Sequence, residues 1–474
     1  MITTVGVSLF LANVTTAIGF GVLVFTKSSF LTEFGVVAAL NVMLTYIITL
    51  IFIPIILSFL PLPSTTQMNH LEGKRMRKVL EFVDWVVHER RTTLYLVIAV
   101  ITAVAFYGMT KIDVTGYVVD DLPKRDPVYT DLHFFETNFK GVLPFEIFID
   151  TKKPNGVFDD NAKVLYKMKA LQRQLDTYPE LSKAISVTEG LKFFYQSYRG
   201  GDSKYYVLPG ISELKNLNDY TGNVKGNENK LKSFIDSTKQ FTRISLQMAD
   251  IGSKKIKTLL ADIQPKVDSI FDKDNYNVRL TGHSLMFLKG NDYLLHNLYE
   301  SLIIEILLIA LVGMALFRSV RIILLSKIPC LIPLIITAGI MGFCDIRFKP
   351  STILIFSIAF GISSDGTIYF LAKYRQELKN HGRSISEAIS NTIMDTGFSM
   401  IYTAVILFFG FGIFAASSFG GTAALGTLIS ITLLVAMVTN LVLLPSILLS
   451  IDNWVSRKQM ESEPLIEIEE KEED

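Results

Sequence analysis

Asp365 sits in an apolar stretch, residues 351–372, that is long enough to cross a membrane and carries no other charge. A carboxylate at that depth costs roughly 2.5–3.5 kcal/mol on insertion scales, so it needs a partner or a wet cavity and marks an ion or substrate pathway. Burial favours the neutral acid while a nearby hydroxyl or opposite charge favours the carboxylate, so small rearrangements can switch its protonation. On a helix, Ser364, Thr367 and Tyr369 lie within about one turn of Asp365 and offer hydroxyls to hydrate or hold it. The plainer reading makes Asp365 a structural polar group bonded to a neighbouring helix. In that reading the Ser and Thr hydroxyls bond to their own helix backbone or cement helix contacts. Glu305, about two turns into another apolar stretch, is either a second relay group or part of an outer vestibule.

Other chemistries find no support. His70, His88, His133, His283, His296 and His381 are scattered without metal-ligand spacing, and neither a phosphate-binding Gly-x4-Gly-Lys-Ser/Thr loop nor a Gly-x-Ser-x-Gly elbow occurs. No cofactor is expected, ATP is not indicated as an energy source, and the chain is not expected to be an enzyme. The net charge of +1 leaves no basic surplus to neutralise the phosphates of a nucleic acid. Cys330 and Cys344 fall in apolar segments, where they read as small hydrophobes. Asp120 and Asp121 read as a solvated turn.

The elements that must hold Asp365 are membrane helices. Half of the 474 residues are apolar and only 19% are charged, with a mean hydropathy of +0.38. Stretches of about 20 apolar residues occur near 5–26, 34–60, 93–110, 298–317, 322–344, 351–372, 396–416 and 423–450, which predicts eight spans. The layout is two spans in 1–60, a basic connector at 61–92, one span at 93–110, a polar region at 111–297, five spans in 298–450 and an acidic tail at 451–474. Lys74, Arg75, Arg77, Lys78, Arg90 and Arg91 crowd the first connector; Arg318, Arg321 and Lys327 follow the fourth span, and Lys373, Arg375, Lys379 and Arg383 the sixth. These loops are expected to face the cytoplasm, with both termini inside and the long region outside, in the cytoplasmic (inner) membrane. The segment around Trp85, residues 79–87, reads as an amphipathic helix at the inner surface, its basic neighbours favouring anionic lipid.

The polar region has a globular pattern. Phe145, Ile147 and Ile149 alternate with polar neighbours, as do Ile244, Leu246 and Met248. Val164, Met168, Leu171 and Leu175 share a helical face, as do Ile256, Leu260, Ile263, Val267 and Ile270, with Pro265 expected to kink or split the second helix. Strands at 145–151, 243–248 and 277–281 with helices between them predict a small α+β layer of the split βαβ kind, porter-like in position. Residues 200–229, rich in Gly and Asn, read as an exposed excursion.

The first two spans and the last two are versions of one unit. Offset by 391 (410 − 19), Gly6 falls on Gly397, Ser8 on Ser399, Gly35 on Gly426, Leu50 on Leu441, Pro54 on Pro445 and Leu57 on Leu448, without a gap. Gly19, Gly21, Gly410 and Gly412 are expected to permit close helix approach. Parallel repeats of this kind are typical of transporters whose halves are related by an axis along the membrane normal. The second copy is preceded by four spans and the polar region and the first by nothing, so the expectation is a chain lacking most of a first half.

GISSD at 361–365 followed by KYRQE at 373–377, then the span of Gly397 and Gly410 and the closing LLPS at 443–446, resembles the RND superfamily, most closely its MMPL and Patched-like branch. NVTTAIGFG at 13–21 is similar to that family's fifth span, and TG at 281–282 before the span ending FRS at 317–319 to its eighth-span entry. The resemblance implies a polytopic helical membrane protein, here matching spans five to twelve with the second outer domain. It implies export of lipids or other hydrophobic molecules, driven by a proton gradient through carboxylates in the fourth and tenth spans. Asp365 takes the tenth-span position, and Ser399, Tyr402 and Thr403 on the next span become candidate partners. MMPL lipid exporters often carry Tyr directly after this Asp, where this chain has Gly366. Membrane lipids, a hydrophobic substrate and a missing N-terminal half or oligomeric partners are the expected partners, and the isolated chain is expected not to transport. The alternative is a non-transporting lipid-sensing or scaffold protein of the same fold.

Overall fold

A computed structural model describes residues 2–26, 28–61, 74–117, 121–214, 233–317, 319–381 and 384–451. Lys27, Asp120, Arg318, Arg383, much of the 200–229 excursion and the acidic tail therefore lie outside the described residues. Two compact units form, Met1–Val114 with Tyr293–Asp474, and Thr115–Asp292.

The first unit is helical because its sequence leaves no other way to satisfy the backbone in lipid: long uncharged runs close their own N–H to C=O bonds. Its helices are α1 (Ile2–Gly21), α2 (Ser29–Phe59), α3 (Lys74–Glu89) and α4 (Arg91–Met109). After the second unit's α5 to α8, introduced below, come α9 (His283–Phe317, of which residues 283–292 belong to the second unit), α10 (Val320–Phe343), α11 (Pro350–His381), α12 (Ile385–Gly412), α13 (Gly420–Val438) and α14 (Leu444–Ser450). Seven helices among the described residues are long and apolar enough to cross a membrane. The first of the eight expected spans forms as α1 with a 3-10 turn, Val22–Phe25, and its apolar part, Leu9–Phe25, falls in the shorter class. Ser384 and Glu387 cap α12 reciprocally, which fixes where the span after the charged connector begins.

Helix α11 is the centre of this unit. In its apolar window 78% of residues are buried, against 0% in α2. α1, α10, α12 and α13 all pack on it, and Phe360 and Phe370 are fully buried. Pro329 and Pro333 lie inside α10, and Pro333 has no N–H to offer the Pro329 carbonyl four residues back. Thr439 covers that carbonyl, its hydroxyl donating at 2.8 Å. Thr439 opens a five-residue π-helical segment, Thr439–Leu443, between α13 and α14, which turns Asn440 toward α11. α3 is amphipathic: Leu80 and Val87 are buried, whereas Phe82 and Trp85 are exposed, with the Arg90 guanidinium 5.6 Å from the Trp85 ring centre. Cys330 is buried in α10, but Cys344 is exposed at its end, so only the first acts as a core hydrophobe.

The second unit holds α5 (Pro127–Phe139), β1 (Leu143–Asp150), α6 (Asp159–Leu175), β2 (Ile185–Ser186), α7 (Val187–Tyr198), β3 (Phe241–Met248), α8 (Ser253–Ile270) and β4 (Asn277–Thr281). The sheet order is β2-β3-β1-β4 with every pair antiparallel, the layout of split βαβ units. Alternation in β1 and β3 puts Phe145, Ile147, Ile149, Ile244, Leu246 and Met248 in one core with Met168 and Leu171 of α6 and Ile256, Ile263 and Val267 of α8. Pro265 does not split α8, which runs on to Ile270. The packed face on either side of the proline outweighs the roughly 3 kcal/mol that the lost helix bond costs.

Candidate functional site

Asp365 projects from the middle of α11 toward α1. Its Oδ1 accepts a hydrogen bond from the Thr15 hydroxyl and its Oδ2 one from the Thr16 hydroxyl. Thr15 is buried, and its hydroxyl also lies 2.9 Å from the Ala12 carbonyl and 3.1 Å from that of Leu11. A hydroxyl has one proton to give and lone pairs to accept with, so Thr15 suits either form of the acid. It donates to a carboxylate; when Asp365 is protonated and becomes the donor, Thr15 can turn its own hydrogen to the Ala12 carbonyl.

The approach of α1 to α11 rests on two glycines. A Cβ on Gly19 would stand 3.1 Å from the Gly361 Cα and 3.2 Å from the Ser357 carbonyl, so a side chain there would push the helices apart. Gly361 is one turn before Asp365 and Gly19 one turn after Thr15, as an antiparallel crossing requires. Gly366 is also constrained: a Cβ would lie 2.9 Å from Asn440 Nδ2 and 3.5 Å from Met400 Cε. The space beside Asp365 that a tyrosine would need is filled by the π-helical segment.

Of the residues singled out from sequence, Ser364 and Thr367 turn away from the carboxylate. Ser364 donates to Cys330 Sγ at 3.7 Å, and Thr367 donates to Asn440 Oδ1 at 2.6 Å. Asn440 in turn donates to the Ser363 carbonyl at 2.9 Å, so this network ties α11 to α10 and the π-helical segment. Tyr369, Ser399 and Thr403 share with Asp365 the lining of a cavity of about 750 Å³ between α11, α12 and α13. Among the described residues, the hydrogen bonds to Asp365 come from Thr15 and Thr16 and not from these three. Tyr402 is 47% exposed on the outer face of α12 and is not part of that lining. At the far end of the cavity Lys373 pairs with Asp395 at 3.3 Å, about 12 Å along α11 from Asp365. Glu305 is fully buried on α9 beside Gly19 and Gly361, with neither carboxyl oxygen hydrogen-bonded. It does not line an open vestibule.

Thr15, Thr16 and Asn440 are the polar neighbours that sequence reasoning missed. The paired threonines were in view within NVTTAIGFG, but nothing in an apolar run says which acid they will meet. Among the described residues no cluster of His, Cys, Asp or Glu is arranged to hold a metal ion.

A family model, the MMPL family, matches residues 167–464. The chain belongs to the MMPL family. A predicted membrane protein of Methanocaldococcus jannaschii is 22% identical over 380 residues, covering 79% of this chain and 94% of that one. This MMPL protein is thus a multi-pass membrane protein with a relative in an archaeon.

Proposed function

We propose that this MMPL protein is a secondary transporter that uses proton movement through Asp365 to carry a lipid or other hydrophobic molecule out of the cytoplasmic membrane. In this reading the α+β unit is extracytoplasmic and both termini are cytoplasmic, as the basic connectors favour. The observation that carries it is the pair of α1 hydroxyls on the Asp365 carboxylate beside a cavity. Ionised, the acid binds α1 to α11 through two donors; protonated, it needs only one acceptor, so the helices are held less firmly. Uptake or loss of a proton then changes which arrangement of α1 against α11 is favoured, the differential that drives alternating access. α3, with Trp85 outward, would lie at the inner membrane surface.

The test is export of a labelled lipid from native cells with and without a proton gradient. Asp365→Asn keeps the shape and is expected to abolish the gradient-dependent part. Thr15→Val removes one charge-assisted bond, worth about 1.5–3 kcal/mol, and is expected to slow export roughly tenfold or more. Undiminished gradient-dependent export by Asp365→Asn would refute the coupling.

A further inference from the structure

Three residues of α9, Asn297, Ser301 and Glu305, recur every fourth position and are 3%, 1% and 0% exposed. The opposite face of the same helix, with Tyr299, Ile303, Leu307 and Leu311, is wide open. A membrane helix with its polar side inward and its apolar side outward lines an internal polar route. Asn297 Oδ1 and both oxygens of Glu305 are buried without a hydrogen-bond partner. α11 presents a matching row at the same spacing: Ser357, Gly361 and Asp365. Ser357 lies within electrostatic reach of Glu305 but outside bonding geometry, and its buried hydroxyl is also unpartnered. The rows meet at the helix crossing, where a Cβ would stand 3.1 Å from Glu305 Oε1 if built on Gly19 and 3.7 Å if built on Gly361. Beyond it, one turn along α11, are Thr15 and Asp365.

We propose that Glu305 is a second proton carrier of this chain, receiving protons along the Asn297–Ser301 row and exchanging them with Asp365 past the Gly19–Gly361 crossing. In the exchange one O–H bond breaks at Glu305 as one forms at Asp365, with Thr15 or a bridging water between, and the charge of the pair is unchanged. An unpaired carboxylate in such surroundings has no donors to replace its hydration, so a charge held there is costly. Lys327 of α10 acts on it electrostatically but, among the described residues, makes no ion pair with it; Asp365 stands one turn beyond Gly361 on α11, and α1 brings Gly19 and the Thr15 carbonyl to the same crossing. Asn297 lies near the middle of α9, eight residues before Glu305, and the Lys373–Asp395 pair lies at the far end of the cavity. The row, the two acids and the cavity together make a polar track along the helices.

This inference rests on the proton-coupled reading of Asp365, and the experiment separates the two. Infrared difference spectra of the full chain in lipid nanodiscs, recorded against pH, count protonated carboxyls by their C=O bands. Wild-type protein is expected to show one band for Glu305 and one for Asp365. Glu305→Gln should remove one and shift the midpoint of the other by about 1 pH unit, as interacting sites do. Glu305→Asp, which keeps an acid, should retain both bands, the first at a new frequency, and guards against misfolding of the Gln variant. Two retained bands in Glu305→Gln, or one lost with no shift in the other, would overturn the proposal. If Asp365→Asn removes no band while Glu305→Gln does, the proton exchange fails together with the Asp365 reading. If Asp365→Asn removes its band and Glu305→Gln changes nothing, only the second carrier fails.

Discussion

The two copies of the repeated helix pair close on themselves in the same way and dock in different ways. In the first copy a Cβ on Gly35 would lie 2.7 Å from the Phe20 carbonyl oxygen; in the second, one on Gly426 would lie 2.6 Å from that of Phe411, the residue 391 positions on from Phe20. Outside the pair the likeness ends. Gly19 is wedged against Gly361 of α11, whereas its counterpart Gly410 has open space around it. Thr15 and Thr16, which hold Asp365, correspond to Ile406 and Leu407. Beyond Leu31 and Gly35 the second helix of the first copy, α2, is uncovered, with 0% of its most apolar window buried, against 61% for the corresponding window within Gly420–Ser450. Asn440 and its π-helical segment correspond to Thr49 in an uninterrupted α2, although both copies carry the proline. A repeated sequence fixes the hairpin because small residues there admit only one close approach. Its outward face is free to diverge, and here the first copy became the partner of the acid and the second the wall of the cavity.

Substitutions at paired positions sharpen that contrast. The largest effect is expected from Gly19→Leu, which must force α1 off α11 and should leave little folded protein; Gly410→Leu should fold normally. Size-exclusion profiles in detergent compare the two, and equal behaviour would mean that the α1–α11 crossing is not built on Gly19. Gly35→Ala and Gly426→Ala should each cost about 1–3 kcal/mol through overpacking, with thermal midpoints lowered alike in both. A clear difference between them would break the claim that the hairpins are equivalent.

Thr439→Val removes the hydroxyl that satisfies the Pro329 carbonyl, at a cost of about 1–3 kcal/mol for a buried acceptor left unpaired. The counterpart Ile48→Thr, on a 45% exposed position of α2, should change stability by less than about 0.5 kcal/mol. The smallest effect falls in the α+β unit. Burial alone would push the Glu189 carboxyl up, but hydrogen bonds from Lys192, Gln172 and Ser186 outweigh it and hold the group below its ordinary value of 4.5. A carboxyl lowered in the folded state contributes stability that is full above the unfolded value and is lost as pH falls through the folded one. Glu189→Gln should therefore lower the melting temperature of the sheet at pH 7 and narrow the difference from wild type below pH 4.5, as followed by circular dichroism of the full chain.

β1 and β3 of the α+β unit were legible from alternation, since Phe145, Ile147 and Ile149 must share a face, whereas the two-residue β2 was too short to show a pattern. The exceptions are physical. Pro265 passes through α8 because packing on both sides exceeds the loss of one bond, and propensity carries no information about that packing. Gly366 has little room for a side chain because Asn440, 74 positions later, takes the space. Ser364 and Thr367 were the natural partners for Asp365 by helical proximity, but residues within a turn of one another need not point the same way.

What the sequence determined alone was the set of membrane helices, the repeat and the single acid in residues 351–372, since a chain in lipid must close its backbone bonds locally and an uncompensated charge stands out in an apolar run. What only the tertiary structure decided was the company that acid keeps. Thr15 and Thr16 lie 350 and 349 residues from Asp365 along the chain, and their hydroxyls reach it because two glycines let α1 and α11 touch. Helix order and rotation set such contacts, and they depend on every packed face at once rather than on any one segment.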